Sequence, residues 1–561
     1  MSISADLKAL VQAWIDQDPD EVTRFELLEL LSRDDEASSI ELSDAFRAPL
    51  EFGTAGLRGK LGGGPNRMNR VVVIQAAAGL AQYLLDQGLQ GQSVVIGFDG
   101  RFNSEVFASD TAQVMAAAGF IPLIFDHVVP TPVLAFAIRD LRCCAGVMVT
   151  ASHNPPQDNG YKVYLGDGRQ IVSPVDGEIS QRIRRITDVR NVQMKVDSTI
   201  VSADVEERYI ESLAVAINAG PTTAAQRGDV VSVYTAMHGV GWNSIHEACV
   251  RADFKAPHAV PEQRDPDPRF PTVAFPNPEE KGALDLSIAM ANKTAADILI
   301  ANDPDADRLA VALPTIDGQW KILHGDQVGS LLAWWIVERA RRTGVKLHGA
   351  FANSIVSSML MESIARDADV EYVNTLTGFK WVSRVPNLIF GYEEALGYCV
   401  NPDYVGDKDG VSAATFILEL AAALKADGRT MWDVLDELAN AYGLHVSDQV
   451  SVKVSDLSQV VRVMSALRTS PPTSIGGMDV VQVIDLLQSE TGLPPTDGVI
   501  LMLNASSDIS KARIIVRPSG TEPKIKCYLE VVCPQSDLGV ARKLAISALD
   551  KLAADARPLL S

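Results

Sequence analysis

The chain has 561 residues, 47% of them hydrophobic and 22% charged, an ordinary globular composition but too long for one hydrophobic core, so three or four domains are expected. A net charge of −21 disfavours nucleic acid or an anionic membrane surface as partner. An anionic ligand must therefore be drawn by a local cluster of Arg and Lys against the global field. The six cysteines (Cys143, Cys144, Cys249, Cys399, Cys527 and Cys533) are scattered without a CxxC pair and read as buried thiols. The polar, amphipathic start lacks the apolar stretch of a signal peptide. No apolar run approaches the roughly 20 residues that span a bilayer, and Leu331–Val337 reads as a buried helix. A cytoplasmic chain is expected.

Ser4–Leu31 has helical periodicity and predicts a helical extension ending near Asp34. Glu51–Arg58 (EFGTAGLR) leads into the Gly-rich, basic GKLGGGPNRMN, a pattern shared by phosphate cradles and by plain flexible loops. Strands at Ser93–Phe98 and Phe120–Phe125 alternate with helices at Ser104–Ala118 and Thr131–Arg139, and Ala145–Val149 adds a buried strand. This β-α-β-α-β order predicts a mostly parallel, helix-covered sheet. The last strand breaks into Thr150–Asn154, and Pro155 and Pro156 remove two backbone donors and force a turn. Ser152 is thus held at the carboxyl end of a strand, where open α/β sheets place ligands, though serine is also common in turns for its own sake. It is not a lipase-type elbow, because neither Thr150 nor Asn154 is the required glycine. The chain resumes extended at Tyr161–Leu165 and brings in Lys162.

Gly177–Val201 reads as a helix and a charged connection, a second α/β pattern begins near Asp229, and Pro266–Leu284 is a proline-punctuated excursion. The strand Ala296–Asn302 runs into DPDADR, Asp303–Arg308. Carboxylates at i, i+2 and i+4 supply the oxygen ligands that Mg²⁺ takes. An EF-hand is excluded, since its glycine and glutamate positions hold Arg308 and Pro314. A phosphoaspartyl hydrolase loop and a solvated acidic turn remain open, although the former leaves the serine loop unexplained. A third α/β segment starts near Ile316. It offers the glycine turn Thr377–Trp381, with Thr377, Gly378 and Lys380 as substrate-binding candidates, and then Gly391–Tyr398, with Glu393 and Glu394 after a strand. Val405–Ala414 fits the same domain, and Ala439–Gly443 reads as a boundary. Strands at Val450–Val454 and Ile514–Val516 and a helix at Leu538–Ala554 make a smaller α+β domain. Within it Arg517, Ser519, Gly520 and Thr521 can chelate a dianionic phosphate, or form a generic turn.

Thr150–Pro155 (TASHNP), with NGYK at Asn159–Lys162, resembles the phosphoserine loop of the α-D-phosphohexomutases, the phosphoglucomutases, phosphomannomutases and their relatives. EFGTAGLR, DPDADR, GYEEALGY and RPSGTEP resemble further motifs of that family, so the likeness spans nearly the whole chain. The resemblance implies three α/β domains with mixed, mostly parallel sheets and a smaller C-terminal α+β domain around a central cleft, divided at 1–205, 206–315, 316–443 and 444–561. It implies that phosphorylated Ser152 donates to a sugar monophosphate, and that the bisphosphate reorients and returns its other phosphate. Mg²⁺ would sit on Asp303, Asp305, Asp307 and the Ser152 group, with Arg58 and Arg308 adding positive charge. Lys162 is the first candidate for general acid/base work, with a pKa that a neighbouring cation and the metal must lower. His153 is the second, or is structural. Glu393, with Glu394 beside it, would bind sugar hydroxyls, and Arg517, Ser519, Gly520 and Thr521 the non-reacting phosphate.

Hexose-specific relatives carry a serine two residues after the glutamate, where this chain has Ala395. That departure resembles the branch of phosphopentomutases and glucose-1,6-bisphosphate synthases. The preferred expectation is interconversion of glucose 1-phosphate and glucose 6-phosphate, or of mannose phosphates, with glucose 1,6-bisphosphate as activator and intermediate, in a monomer or homodimer. Outside the family, a Mg²⁺-dependent sugar phosphatase and a non-catalytic sugar-phosphate sensor are the alternatives.

Overall fold

A computed structural model describes the chain except residues 1–2, 52–55, 455–456, 489–491, 505, 507, 519–523, 535–536 and 561. It divides into two compact units, Met1–Leu323 with Gly397–Ala422, and His324–Leu396 with Ala423–Ser561. All six cysteines are free and buried. Among the described residues no helix is long and apolar enough to cross a membrane.

The first unit opens with helices Ala5–Gln17, Glu21–Arg33 and Glu36–Ala45 in place of a single extension ending near Asp34. Pro19 disfavours a helical Asp18, so the chain extends there. Asp20 restarts it by accepting a hydrogen bond from the Val22 amide. Asp34, in the left-handed region at φ 49°, ends the second helix, and Asp35 caps the third.

A six-stranded sheet follows, in the order Leu57–Lys60, Asp158–Leu165, Ala145–Val149, Ser93–Phe98, Ile121–Ile124, Thr199–Ile200. The last four run parallel, as the alternating pattern predicts. Asp158–Leu165 and Leu57–Lys60 add antiparallel pairs at one side. Every residue of Ala145–Val149 is buried, as a central strand covered on both faces requires. Register places Lys162 opposite Met148 and Arg58 opposite Gly160, so both candidate cations lie on the same side of the strand that leads to Ser152, one and two strands away.

The second sheet of this unit has five strands. Ile298–Ala301 pairs parallel with Ser232–Thr235 and antiparallel with Ala310–Pro314, so Asp303–Arg308 lies in the connection of a hairpin. Pro266–Leu284 contains neither helix nor strand, and it buries Phe270, Val273 and Ala283 against Met237.

In the second unit Ala350–Ser354 pairs parallel with Glu371–Thr375 and Leu388–Glu393. A separate antiparallel sheet is built on Leu444–Lys453, Lys524–Cys533, Lys511–Pro518, Val499–Leu503 and Met478–Asp485. Successive residues on a strand face opposite sides. Ala512, Ile514 and Val516 pack with the helices Leu457–Thr469 and Leu538–Leu559. Ile515 and Tyr528 join Ile355 and Val356 on the other side.

That second side also carries a buried ion pair. Glu530 Oε2 accepts from Arg513 Nε at 2.8 Å, and its Oε1 accepts from Ser358 Oγ at 2.7 Å and the Met359 amide at 2.9 Å. The other Arg513 nitrogens donate to the carbonyls of Ile355 and Ser357. Burial alone would raise the Glu530 carboxyl, but Arg513 and the hydrogen bonds overcome it and hold it at about 2. Its folded value lies below the ordinary 4.5, so its ionisation favours the folded state. That contribution is complete above pH 4.5 and is lost as pH falls through about 2. Glu530→Ala, which strands Arg513, is expected to cost about 3–5 kcal/mol, read from denaturant melts at pH 7.

Candidate active site

Thr150 shapes the serine loop. Its Oγ1 donates to Asp99 Oδ2 at 2.6 Å and accepts from the Ser152 amide at 2.9 Å. Ser152 is 3% exposed and adopts the left-handed region at φ 51°, a conformation a non-glycine residue keeps only when its surroundings impose it. Its Oγ donates to Asp303 Oδ2 at 2.6 Å and lies 3.2 Å from His153 Nδ1. Burial, then Arg308 and Arg58, push the His153 imidazole well below 6.5, so a neutral ring stands beside the hydroxyl.

Asp303, Asp305 and Asp307 are buried, with carboxylate oxygens within 4.8 Å of one another. Lys162 Nζ donates to Asp305 Oδ2 at 2.6 Å and Asp307 Oδ2 at 2.8 Å. Lys408 Nζ is 3.2 Å from Asp307 Oδ2, and Thr131 Oγ1 donates to Asp305 Oδ2 at 2.6 Å. Burial and its two carboxylate neighbours push Asp303 well above the usual range. Burial raises Asp305 and Asp307 too, but Lys162 on both, and Lys408 and Arg308 on Asp307, more than offset it and hold them low. Asp305 Oδ1 and Asp307 Oδ1 are buried without a hydrogen-bond partner. Buried carboxylate oxygens lacking donors are what a hard divalent cation binds, so these residues fit one.

Lys162 departs from expectation in one respect. Burial disfavours its charge, but Asp305 and Asp307 outweigh burial and hold the ammonium above its ordinary value, where a lowered one was expected. Two carboxylates at salt-bridge distance stabilise a cation more than its desolvation costs.

Arg58 Nη1 donates to Asn154 Oδ1 at 2.9 Å, while residues 52–55 of its motif lie outside the described residues. Arg308 is fixed through its amide, which donates to Asp303 Oδ1 at 3.0 Å, and its Nη1 is 3.9 Å from Glu279 Oε2. Ser152, His153, Lys162, Arg58, Arg308 and the three aspartates therefore come together in one unit.

The remaining candidates lie in the other unit. Glu393 ends the strand Leu388–Glu393, and Glu394 Oε2 accepts from Ser354 Oγ and Ser357 Oγ, both at 2.9 Å. Glu394 is thereby anchored in the protein. Thr377 is partly buried, Gly378 uses φ 106°, and Lys380 is buried in the short helix Phe379–Val382. Arg517 is partly buried near the end of Lys511–Pro518, and Ser519, Gly520 and Thr521 lie outside the described residues. A Cβ on Gly325 would meet the Glu394 carbonyl oxygen at 1.8 Å. Gly325→Ala is therefore expected to displace the glutamate loop and destabilise the protein by about 1–3 kcal/mol. Thermal melting checks this, and wild-type stability would contradict the contact.

Four family models match the chain in order: phosphoglucomutase/phosphomannomutase α/β/α domain I at residues 49–190, domain II at 207–318, domain III at 324–442 and the C-terminal domain at 499–541. The chain belongs to the phosphoglucomutase/phosphomannomutase family. It is a phosphosugar mutase, an isomerase. It is 47% identical over 468 residues to a probable phosphomannomutase of Haemophilus influenzae, covering 82% of this chain and 93% of that one. It is 36% identical to the phosphopentomutase of Homo sapiens, over 93% of this chain and 90% of the relative. It is 34% identical to a phosphoglucomutase of Staphylococcus aureus, over 91% and 94%. The fold is shared with a phosphoglucomutase/phosphomannomutase family protein of Burkholderia thailandensis, with a TM-score of 0.65 at 22% identity over 91% of this chain and 96% of that one. It is also shared with parafusin of Paramecium, with a TM-score of 0.63 at 17% identity over 90% and 96%.

Several residues that shape the candidate site in this mutase were not singled out from the sequence. It assigned Val405–Ala414 to the third domain without a site role, yet Lys408 reaches Asp307. Asp407 accepts from Tyr164 OH at 2.9 Å and Gln170 Nε2 at 2.7 Å, and Asp409 accepts from Tyr209 OH at 2.9 Å and the Ser412 amide at 2.9 Å. These anchors on either side fix the lysine between them. The available signal was a lysine flanked by aspartates just before a helix. Asp99 and Arg101 were also missed; their signal is a position after a strand parallel to and beside the serine strand.

Proposed function

We propose that this mutase interconverts glucose 1-phosphate and glucose 6-phosphate through a phosphoserine at Ser152 and a glucose 1,6-bisphosphate intermediate. The observation that carries the reading is the Ser152 hydroxyl, 2.6 Å from Asp303 at the edge of a buried carboxylate triad. The chain is read as four domains (1–205, 206–315, 316–443 and 444–561) of a cytoplasmic enzyme.

Asp303, Asp305, Asp307 and the Ser152 group are the residues that would hold Mg²⁺. When bound, the ion supplies positive charge to the phosphate oxygens. His153, kept neutral, can take the Ser152 proton at 3.2 Å when the serine attacks phosphorus. Lys162, kept charged by two aspartates, can donate to an oxygen that gains negative charge. Arg58 and Arg308 add positive charge at the same place. Glu393 orients the sugar hydroxyls, held by the anchored Glu394, while Thr377, Gly378 and Lys380 line the sugar. Arg517, with Ser519, Gly520 and Thr521, grips the phosphate that does not react, an element a phosphatase does not need.

Ala395 and the 36% identity to a phosphopentomutase favour a second reading, ribose 1-phosphate to ribose 5-phosphate. The test compares kcat/KM for glucose 1-phosphate and ribose 1-phosphate with Mg²⁺ and a trace of the matching bisphosphate. A large preference for glucose supports the proposal. A preference for ribose makes Ala395 part of a pentose-shaped pocket. Turnover of neither points to bisphosphate synthesis, net phosphate release to a phosphatase, and binding without turnover to a sensor.

A further inference from the structure

We propose that Arg101 is the positioning residue that holds Ser152 in place for phosphoryl transfer, an inference that rests on Ser152 being the group that carries phosphate. Arg101 is 4% exposed and follows Ser93–Phe98, the parallel neighbour of the strand that leads to Ser152. Both loops therefore leave the sheet at the same carboxyl edge. Arg101 Nη2 donates to the carbonyls of Ser152 and Asn154, each at 2.6 Å, and Nη1 to those of Pro155 at 2.8 Å and Asp158 at 3.1 Å. One planar fork thus gathers four carbonyls across the whole turn. The turn is poor in donors of its own, because Pro155 and Pro156 carry no N–H.

The clamp is itself fixed. Asp99 Oδ1 accepts from the Arg101 amide at 3.0 Å, Asp99 Oδ2 lies 3.4 Å from Arg101 Nε, and the guanidinium carbon is 4.9 Å from the centre of the Phe270 ring. Asp99 Oδ2 also takes the Thr150 hydroxyl, whose oxygen receives the Ser152 amide. Both backbone polar groups of Ser152 are therefore referred to the Asp99–Arg101 pair. With φ at 51° the serine does not hold this geometry by local preference. Arg101 makes no hydrogen bond to the Ser152 hydroxyl and acts through the backbone, so its effect falls on the direction of Oγ. A lysine, whose ammonium is a point charge on a flexible stem, does not reproduce a planar fork.

The test measures kcat and KM for glucose 1-phosphate, intact-mass phosphorylation by glucose 1,6-bisphosphate, and melting temperature in wild type, Arg101→Lys, Arg101→Ala and Asp99→Asn. Arg101→Lys is expected to lose about 100-fold in kcat with KM unchanged, the cost of a misplaced reacting group. Added guanidinium is expected to recover part of kcat in Arg101→Ala and none in Arg101→Lys. Wild-type kcat in Arg101→Lys, or a loss explained wholly by less folded protein, overturns the inference. If both Arg101 variants fail to fold, Asp99→Asn decides: lower kcat at unchanged KM and melting supports positioning, and wild-type kcat contradicts it. Wild-type protein that takes no phosphate on Ser152 refutes the underlying function instead, whatever the variants do.

Discussion

Replacing Ser152 with alanine is expected to lower phosphoryl transfer by at least about 10⁴-fold, because the nucleophile is removed and nothing covalent replaces it. Binding should survive. Asp303 Oδ1 still receives the Arg308 amide, Lys162 still bridges Asp305 and Asp307, and Arg101 still donates to the carbonyls of Asn154 and Pro155. The cost is thus confined to one hydroxyl and its contacts with Asp303 and His153. Steady-state assay and calorimetric titration with glucose 6-phosphate separate the two effects. Near-normal turnover in this variant would remove serine from the mechanism and return attention to the aspartates as nucleophiles.

The second large effect is expected at Asp307. Asp307→Asn removes one of three clustered carboxylates and the partner shared by Lys162 and Lys408. Two ammonium groups then face less negative charge, which disfavours a divalent cation beside them. Loss of a metal's charge stabilisation is worth about 4 kcal/mol, or about a thousandfold in kcat. Titration of the variant with Mg²⁺ should show weakened binding, independent of turnover. Activity that persists after chelation and in Asp307→Asn would mean that the triad serves only as a counter-charge for the lysines.

The sequence made the ends of strands legible, because there the chemistry is local. Pro155 and Pro156 announce the break after the strand that carries Ser152, and alternating aspartates announce the triad. The three-helix start was misread because a proline after Asp18 interrupts an otherwise continuous periodicity. What stayed hidden depends on distant segments meeting. Lys162 reaches Asp305 across 143 residues and Arg101 reaches the Ser152 carbonyl across 51, and neither spacing leaves a local pattern. The direction of the Lys162 shift was hidden for the same reason, since a charge at the end of a strand is raised or lowered by whatever the fold brings opposite. Lys408 stands in a segment that groups with the first unit, although the chain on both sides of it belongs to the second.

The most direct measurement of the central claim is to incubate the protein with Mg²⁺ and glucose 1,6-bisphosphate labelled in both phosphates, map the label, and chase with unlabelled glucose 1-phosphate. One acid-stable phosphate is expected on Ser152, returning to sugar without release of inorganic phosphate. Label on Asp303, Asp305 or Asp307 that hydroxylamine removes, or that leaves as inorganic phosphate, would contradict it.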